Sequence, residues 1–287
     1  MKKCELSIII VNFNTKQLTL ECIDSIIQTT HDINYEIILV DNSTISAEQI
    51  TVNTGIVSSY TIDNHGYGNA NNYGFRMSCG DYILLLNPDT IVYDYTISKC
   101  LSYLRSHSTI GALGCRVLRP DGSLDHACRR GFPTPLNSFF YFSKLGKLFP
   151  HNKKLNQYTY SFLDETTSCS VDSLTGAFML LPRCVAEETT LFDELFFMYG
   201  EDLDLCYRIK ELSYDVFYLA TVTILHKKYQ SGIAKSSSFV IKQFYLSMIL
   251  FYNKHYKTQY NILINTCVKL GIYSIMYLKL IVNHFLK

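Results

Sequence analysis

Beyond Asp215 the sequence has no aspartate or glutamate, and tryptophan is missing throughout. The acid-free stretch carries nine lysines: Lys227, Lys228, Lys235, Lys242, Lys254, Lys257, Lys269, Lys279 and Lys287. Its 72 residues therefore hold +9, while the other 17 basic and 25 acidic side chains leave the first 215 residues at −8. Such asymmetry points to an anionic surface as partner. The tail has no arginine and no nucleic-acid motif accompanies its lysines, which excludes nucleic acid and leaves a membrane surface. The ten cysteines form no Cys-x-x-Cys pair and show no metal-ligand spacing. That excludes a zinc site or a disulfide framework; reduced, mostly buried thiols and a cytoplasmic setting are expected.

Long uncharged apolar runs are scarce too. Glu5 precedes an apolar block, Leu6 to Val11, that is too short for a signal-peptide core, so the chain is expected to begin with a strand. Ile262 to Val282 has the length of a membrane span, but Lys269 and Lys279 interrupt it. An interfacial amphipathic helix fits better, each lysine near anionic lipid adding about 1 kcal/mol. That places the protein at the inner face of the plasma membrane as a peripheral component. Packing of the tail on the rest of the chain, or a homodimer contact, stays open. Gly66-x-Gly68 lacks the third glycine of a dinucleotide fingerprint, which excludes a Rossmann dehydrogenase.

What is present is a core-rich chain of 287 residues, 48% hydrophobic and 14% aromatic, enough for one α/β domain with an appendage. Strands are expected at Leu6 to Val11, Tyr35 to Val40, Ile56 to Ile62 and Asp81 to Leu86, with helices at Lys16 to Thr29, from Ser46 to Gly55, and at Asn71 to Cys79. This alternation implies a parallel sheet with right-handed crossovers and a nucleotide site across its loop ends. Further on, Ile97 to Arg105 reads as a helix. Gly111 to Val117, Val171 to Leu181 and Val216 to Leu225 read as strands, with Gly176 marking a close backbone approach. Residues 121 to 170 read as irregular, and the tail from Phe239 as helical.

Leu84-Leu85-Leu86-Asn87-Pro88-Asp89-Thr90 is the centre of this pattern. Pro88 must end the buried strand, which delivers Asp89 to the sheet edge where ligands bind, with Asn87 two residues before it. Oxygen donors there suit a hard cation that also holds phosphates. His226 follows another buried strand and could supply a further ligand. Glu201, Asp202 and Asp204 crowd the start of a helix, where the macrodipole favours negative charge, and either of the first two could serve as a general base.

The ordered series IIIVNFNT, ILVDNST, NHGYGNANNYG, LLLNPDT, TGAFMLLPR, FFMYGEDLDLCYR and ILH resembles the inverting glycosyltransferases of family 2, over Leu6 to Gly232. The nearest subgroup is rhamnosyltransferase-like enzymes of bacterial surface-polysaccharide assembly. The resemblance implies a GT-A fold: a mostly parallel central sheet with helices on both faces, and a C-terminal helical tail. The glycosyltransferase domain would span 1–232, as a nucleotide half to about 118 and an acceptor half from 119, with the tail at 233–287. It further implies that Asn12, Asn14 and Asp41 contact base and ribose, and that Asn64, Gly66 and Asn72 line the nucleotide-sugar pocket. Asp89 would ligate Mg²⁺ or Mn²⁺ with His226, Asn87 standing where the family has an aspartate. Asp202 would be the catalytic base, with Glu201 as substitute.

The implied activity is transfer of a sugar, L-rhamnose from dTDP-rhamnose, to a saccharide or polyprenyl-linked acceptor in O-antigen or capsule assembly. A UDP-galactosyl or UDP-glucosyl transferase and a non-catalytic nucleotide-sugar-binding protein are the alternatives. Asn12-Phe13-Asn14-Thr15 replaces the glycine-rich loop of a nucleotidyltransferase. The lack of tryptophan argues against a processive synthase.

Overall fold

Leu6, Ile8, Ile9 and Ile10 have no solvent exposure, and burying each such side chain stabilises the fold by about 1.5–3 kcal/mol. They belong to β1 (Leu6–Asn12), around which the computed structural model, describing residues 4–227 and 238–285, is built. Parallel partners flank it: β2 (Tyr35–Asp41) on one side and β4 (Tyr82–Leu86) on the other, with β3 (Val57–Thr61) beyond β2. Helices α1 (Lys16–Thr29), α2 (Tyr67–Met77) and α3 (Thr96–Arg105) intervene in sequence. The carboxyl ends of β1, β2 and β4 therefore share one sheet edge.

The second half changes direction. β8 (Phe178–Pro182) inserts antiparallel to both β4 and β6 (Ile110–Leu118), and β9 (Asp215–His226) lies parallel to β6. Short β5 (Thr90–Val92) and β7 (Cys169–Val171) pair antiparallel with β9. The strand order is β3-β2-β1-β4-β8-β6-β9-β5, with β7 on β9. The sheet is thus mixed, its parallel block confined largely to the first half.

Three expected elements differ. From Ser46 the chain makes only a 3₁₀ turn, Ser46–Glu48, because the Glu48 carbonyl accepts from Asn12 and its carboxylate accepts from the Lys16 N–H. Val171 to Leu181 is two strands, β7 and β8, separated by residues 172–177. At Gly176 an added Cβ would meet the Tyr67 hydroxyl at 3.5 Å, an ordinary contact rather than an enforced close approach. The region 121–170 holds two short helices, α4 (Pro135–Phe142) and α5 (Leu145–Leu148).

Helix α6 (Arg183–Glu188) follows β8, and α7 (Glu201–Glu211) precedes β9. The tail forms α8 (Ser238–His255) and α9 (Ile262–Phe285). α8 docks on α7: buried Asp204 accepts from His255 Nε2 at 2.8 Å and lies 2.7 Å from Lys254 Nζ and Arg208 Nε. The expected boundary at 232/233 lies outside the described residues, as do Lys228, Lys235 and Lys287. All ten cysteines are unpaired thiols, five of them buried. The fold gathers Cys4 and Cys79 beside Glu36, a cluster their sequence spacing conceals; burial, then the Glu36 charge, push the Cys4 thiol up to about 12.

Candidate active site

Pro88 ends β4, and the chain turns so that Asp89 and His226, at the end of β9, meet. His226 Nε2 lies 3.0 Å from Asp89 Oδ1, and both side chains are nearly buried. His226 Nδ1 faces Asp125 Oδ2 at 3.5 Å. Burial works against charge on His226, but the carboxylates of Asp125 and Asp89 outweigh it and raise its pKa to about 9. Asn87 does not turn its amide oxygen to this pair: Tyr67 Oη donates to it at 2.9 Å. Burial, then the surrounding carboxylates, push the Tyr67 phenol strongly upward, so it remains a donor.

The same Tyr67 hydroxyl lies 3.3 Å from the Gly176 carbonyl, and the Gly176 N–H points to Asp202 Oδ2 at 3.4 Å. Asn87, Tyr67, Gly176 and Asp202 therefore form one continuous line joining the β4 end to the start of α7. Asp202 Oδ2 also accepts from Arg130 Nη2 at 2.7 Å, and Oδ1 accepts from the Leu203 N–H. Glu201 is buried beside it with Oε2 unpartnered. Burial, then the Asp202 charge, push the Glu201 carboxyl from 4.5 to about 8.

The expected nucleotide residues divide. Asn12 and Asp41 are fully buried and bonded to each other, Asn12 Nδ2 donating to Asp41 Oδ2 at 2.7 Å. Asn12 Oδ1 accepts from Thr15 and Thr19, and Asp41 accepts from the Ser43 and Ile50 N–H groups. These two brace the loops. Asn14, in the left-handed region at φ 53°, clips the facing loop by accepting from the Thr44 and Ile45 N–H groups. Asn64 accepts from the Gly66 N–H and from Asn42 Nδ2. Gly66 sits at φ +103° against the Phe197 backbone, where no side chain fits.

Between these loops lies a cleft of about 490 Å³ lined by Asn42, Ser43, Thr44, Gln49, Asp63 and Asn64, among others. Asn42, which the sequence does not single out, keeps its Oδ1 buried and unpartnered. Asn72 lies elsewhere. It exchanges hydrogen bonds with the Phe192 backbone and faces a separate cleft of about 460 Å³ with Arg76, Glu194 and Lys254.

A mixed central sheet flanked by helices, in this strand order, is similar to the GT-A fold. The structure superposes on GalNAc-T7 solved with UDP, GalNAc and Mn²⁺, with a TM-score of 0.60 at 16% identity, covering 86% of this chain and 48% of that one. Residues 7–166 match the model of glycosyl transferase family 2, and the chain belongs to that family. It is 29% identical over 151 residues to an N-acetylglucosaminyl-diphospho-decaprenol L-rhamnosyltransferase of Mycobacterium tuberculosis, 53% of this chain and 48% of that protein. It is also 28% identical over 203 residues to the rhamnosyltransferase WbbL of Escherichia coli K12, 68% of this chain and 74% of that one. The chain thus spans about half the length of the first of these relatives.

Proposed function

We propose that the protein is an inverting glycosyltransferase that moves L-rhamnose from dTDP-rhamnose to a saccharide or polyprenyl-linked acceptor in surface-polysaccharide assembly. The observation that carries this reading is the line from Asn87 through Tyr67 and Gly176 to Asp202. It connects the strand end that carries Asp89 to the helix start that carries the base candidate. The names of the M. tuberculosis and E. coli relatives support rhamnose as the donor sugar.

A carboxylate oxygen and an imidazole nitrogen 3.0 Å apart suit Mg²⁺ or Mn²⁺. Bound by Asp89 and His226, such an ion supplies Lewis-acid neutralisation of the leaving diphosphate. The cleft at Asn42 and Asn64 takes the nucleoside, with the Asn42 oxygen as acceptor for a base N–H. Burial and the neighbouring Asp202 charge raise the Glu201 carboxyl and favour its protonated form. Asp202, with its carboxylate held by Arg130, takes the role of base: it deprotonates the acceptor hydroxyl as that attacks the anomeric carbon from the face opposite the diphosphate, which inverts configuration.

Nucleotide release from dTDP-rhamnose and from UDP-galactose, UDP-glucose and UDP-N-acetylhexosamines, with and without Mn²⁺, tests the donor. Metal-dependent release of dTDP is expected; preference for a UDP-sugar would replace rhamnose with that hexose.

The tail completes the reading. Among the described residues α9 is the helix long and apolar enough, by length and composition, to cross a membrane. Its inner side packs on α8 while Leu263, Leu270, Tyr277, Leu278 and Ile281 face outward. With no acidic residue in the whole tail, that exposed apolar side suits the surface of an anionic bilayer, where a lipid-linked acceptor resides.

A further inference from the structure

Asp125 is 1% exposed, and a carboxylate removed from water must be matched by partners. It caps the 3₁₀ turn His126–Cys128 through one oxygen, Oδ1, which accepts from the Ala127 N–H at 3.2 Å and lies 3.5 Å from Arg119 Nη2. A serine or asparagine would cap that turn as well without burying a charge. The second oxygen has a different task. Asp125 Oδ2 faces Nδ1 of His226, whose Nε2 faces Asp89. Loop geometry fixes this approach: the Asp125 N–H donates to the Val117 carbonyl at 2.8 Å, and Leu124 bridges to Leu118. Three side chains from the β4 end, the β9 end and the loop after β6 are thus stacked in the order Asp89, His226, Asp125.

We propose that Asp125 is a positioning residue for a divalent-cation site: its Oδ2 carboxylate oxygen, facing the Nδ1 side of His226, orients the ring and aims Nε2 at the ion shared with Asp89. An ion held there would need Nε2 without its proton, leaving the ring proton on Nδ1, the side that faces Asp125. Partners of this kind orient an imidazole and strengthen it as a ligand. The proposal rests on the reading of Asp89 and His226 as the metal pair.

Mn²⁺ binding to the full chain, with dTDP present, can be followed by the electron paramagnetic resonance signal of free Mn²⁺. Wild type, Asp125→Asn, Asp125→Ser and Asp89→Ala are compared, with melting temperatures recorded in the absence of metal. Asn and Ser keep the turn cap. Mn²⁺ affinity is expected to fall roughly 10- to 100-fold in both with melting temperature little changed, and to vanish in Asp89→Ala. Asp125→Ser binding Mn²⁺ within twofold of wild type, while Asp89→Ala does not bind, would reduce Asp125 to a turn cap. Wild type binding no more tightly than Asp89→Ala would overturn the metal pair and this proposal together.

Discussion

Asp89 and His226 were legible as residues because each terminates a buried strand, and strand ends are fixed by hydrophobic pattern. Asp125 and Arg130 were not. They lie in the irregular 121–170 region, where no periodicity assigns a direction to a side chain; Asp125, His126, Arg129 and Arg130 stand close together there, but nothing in the sequence aims them at the site. Asn12 and Asp41, for which the resemblance implies contact with base and ribose, are completely buried and bonded to each other, an arrangement that no sequence pattern indicates. The Glu201–Asp202 pair gives a direct test of environment. Glu201 is unfolded-like at 4.5 and near 8 when buried, so folding retains its proton. Its contribution to stability is full below about pH 4.5 and is lost as pH rises through about 8. Glu201→Gln is therefore expected to flatten the fall in melting temperature over that window. A variant melting curve with the wild-type pH slope would show that another group is responsible.

At the level of elements, apolar runs located the strands but not their direction. An uninterrupted apolar segment reads alike whether its neighbour is parallel or antiparallel, so the insertion of β8 between β4 and β6 had no signature. The split between β7 and β8 lies at residues 172–177, where Asp172, Ser173 and Thr175 interrupt an apolar run that otherwise reads as one strand. The docking of α8 on α7 depends on buried Asp204. Burial opposes its charge, but His255, Arg208 and Lys254 prevail and lower its pKa to about 2. This contribution is present above about pH 3.8 and lost as pH falls through about 2. Asp204→Asn leaves three cationic or donor groups facing a neutral amide and is expected to destabilise the protein by about 3 kcal/mol or more, as when one partner of a buried pair is removed. Urea unfolding at pH 7 measures it; a change below about 0.5 kcal/mol would mean that apolar contacts such as Phe132 with Phe251 hold the helix alone.

For the whole molecule, the charge asymmetry was visible in the sequence, whereas the exposed apolar side of α9 needed the fold, because only packing shows which face of an apolar helix is used. Leu270 and Leu278 are each 61% exposed, so Leu270→Asp with Leu278→Asp should leave the fold intact while abolishing co-sedimentation with anionic vesicles. Undiminished vesicle binding would remove α9 as the contact, and a shift from dimer to monomer in its place would make the face a subunit interface. The metal-ligand and base candidates are tested together by dTDP binding and rhamnosyl transfer in Mn²⁺ for wild type, Asp89→Ala and Asp202→Asn. Asp89→Ala is expected to lose metal-dependent dTDP binding and transfer alike, and Asp202→Asn to bind dTDP normally while transfer falls about 10²-fold or more. Transfer by Asp202→Asn at the wild-type rate, or unaltered binding by Asp89→Ala, would contradict a single sugar-diphosphate site built from these residues.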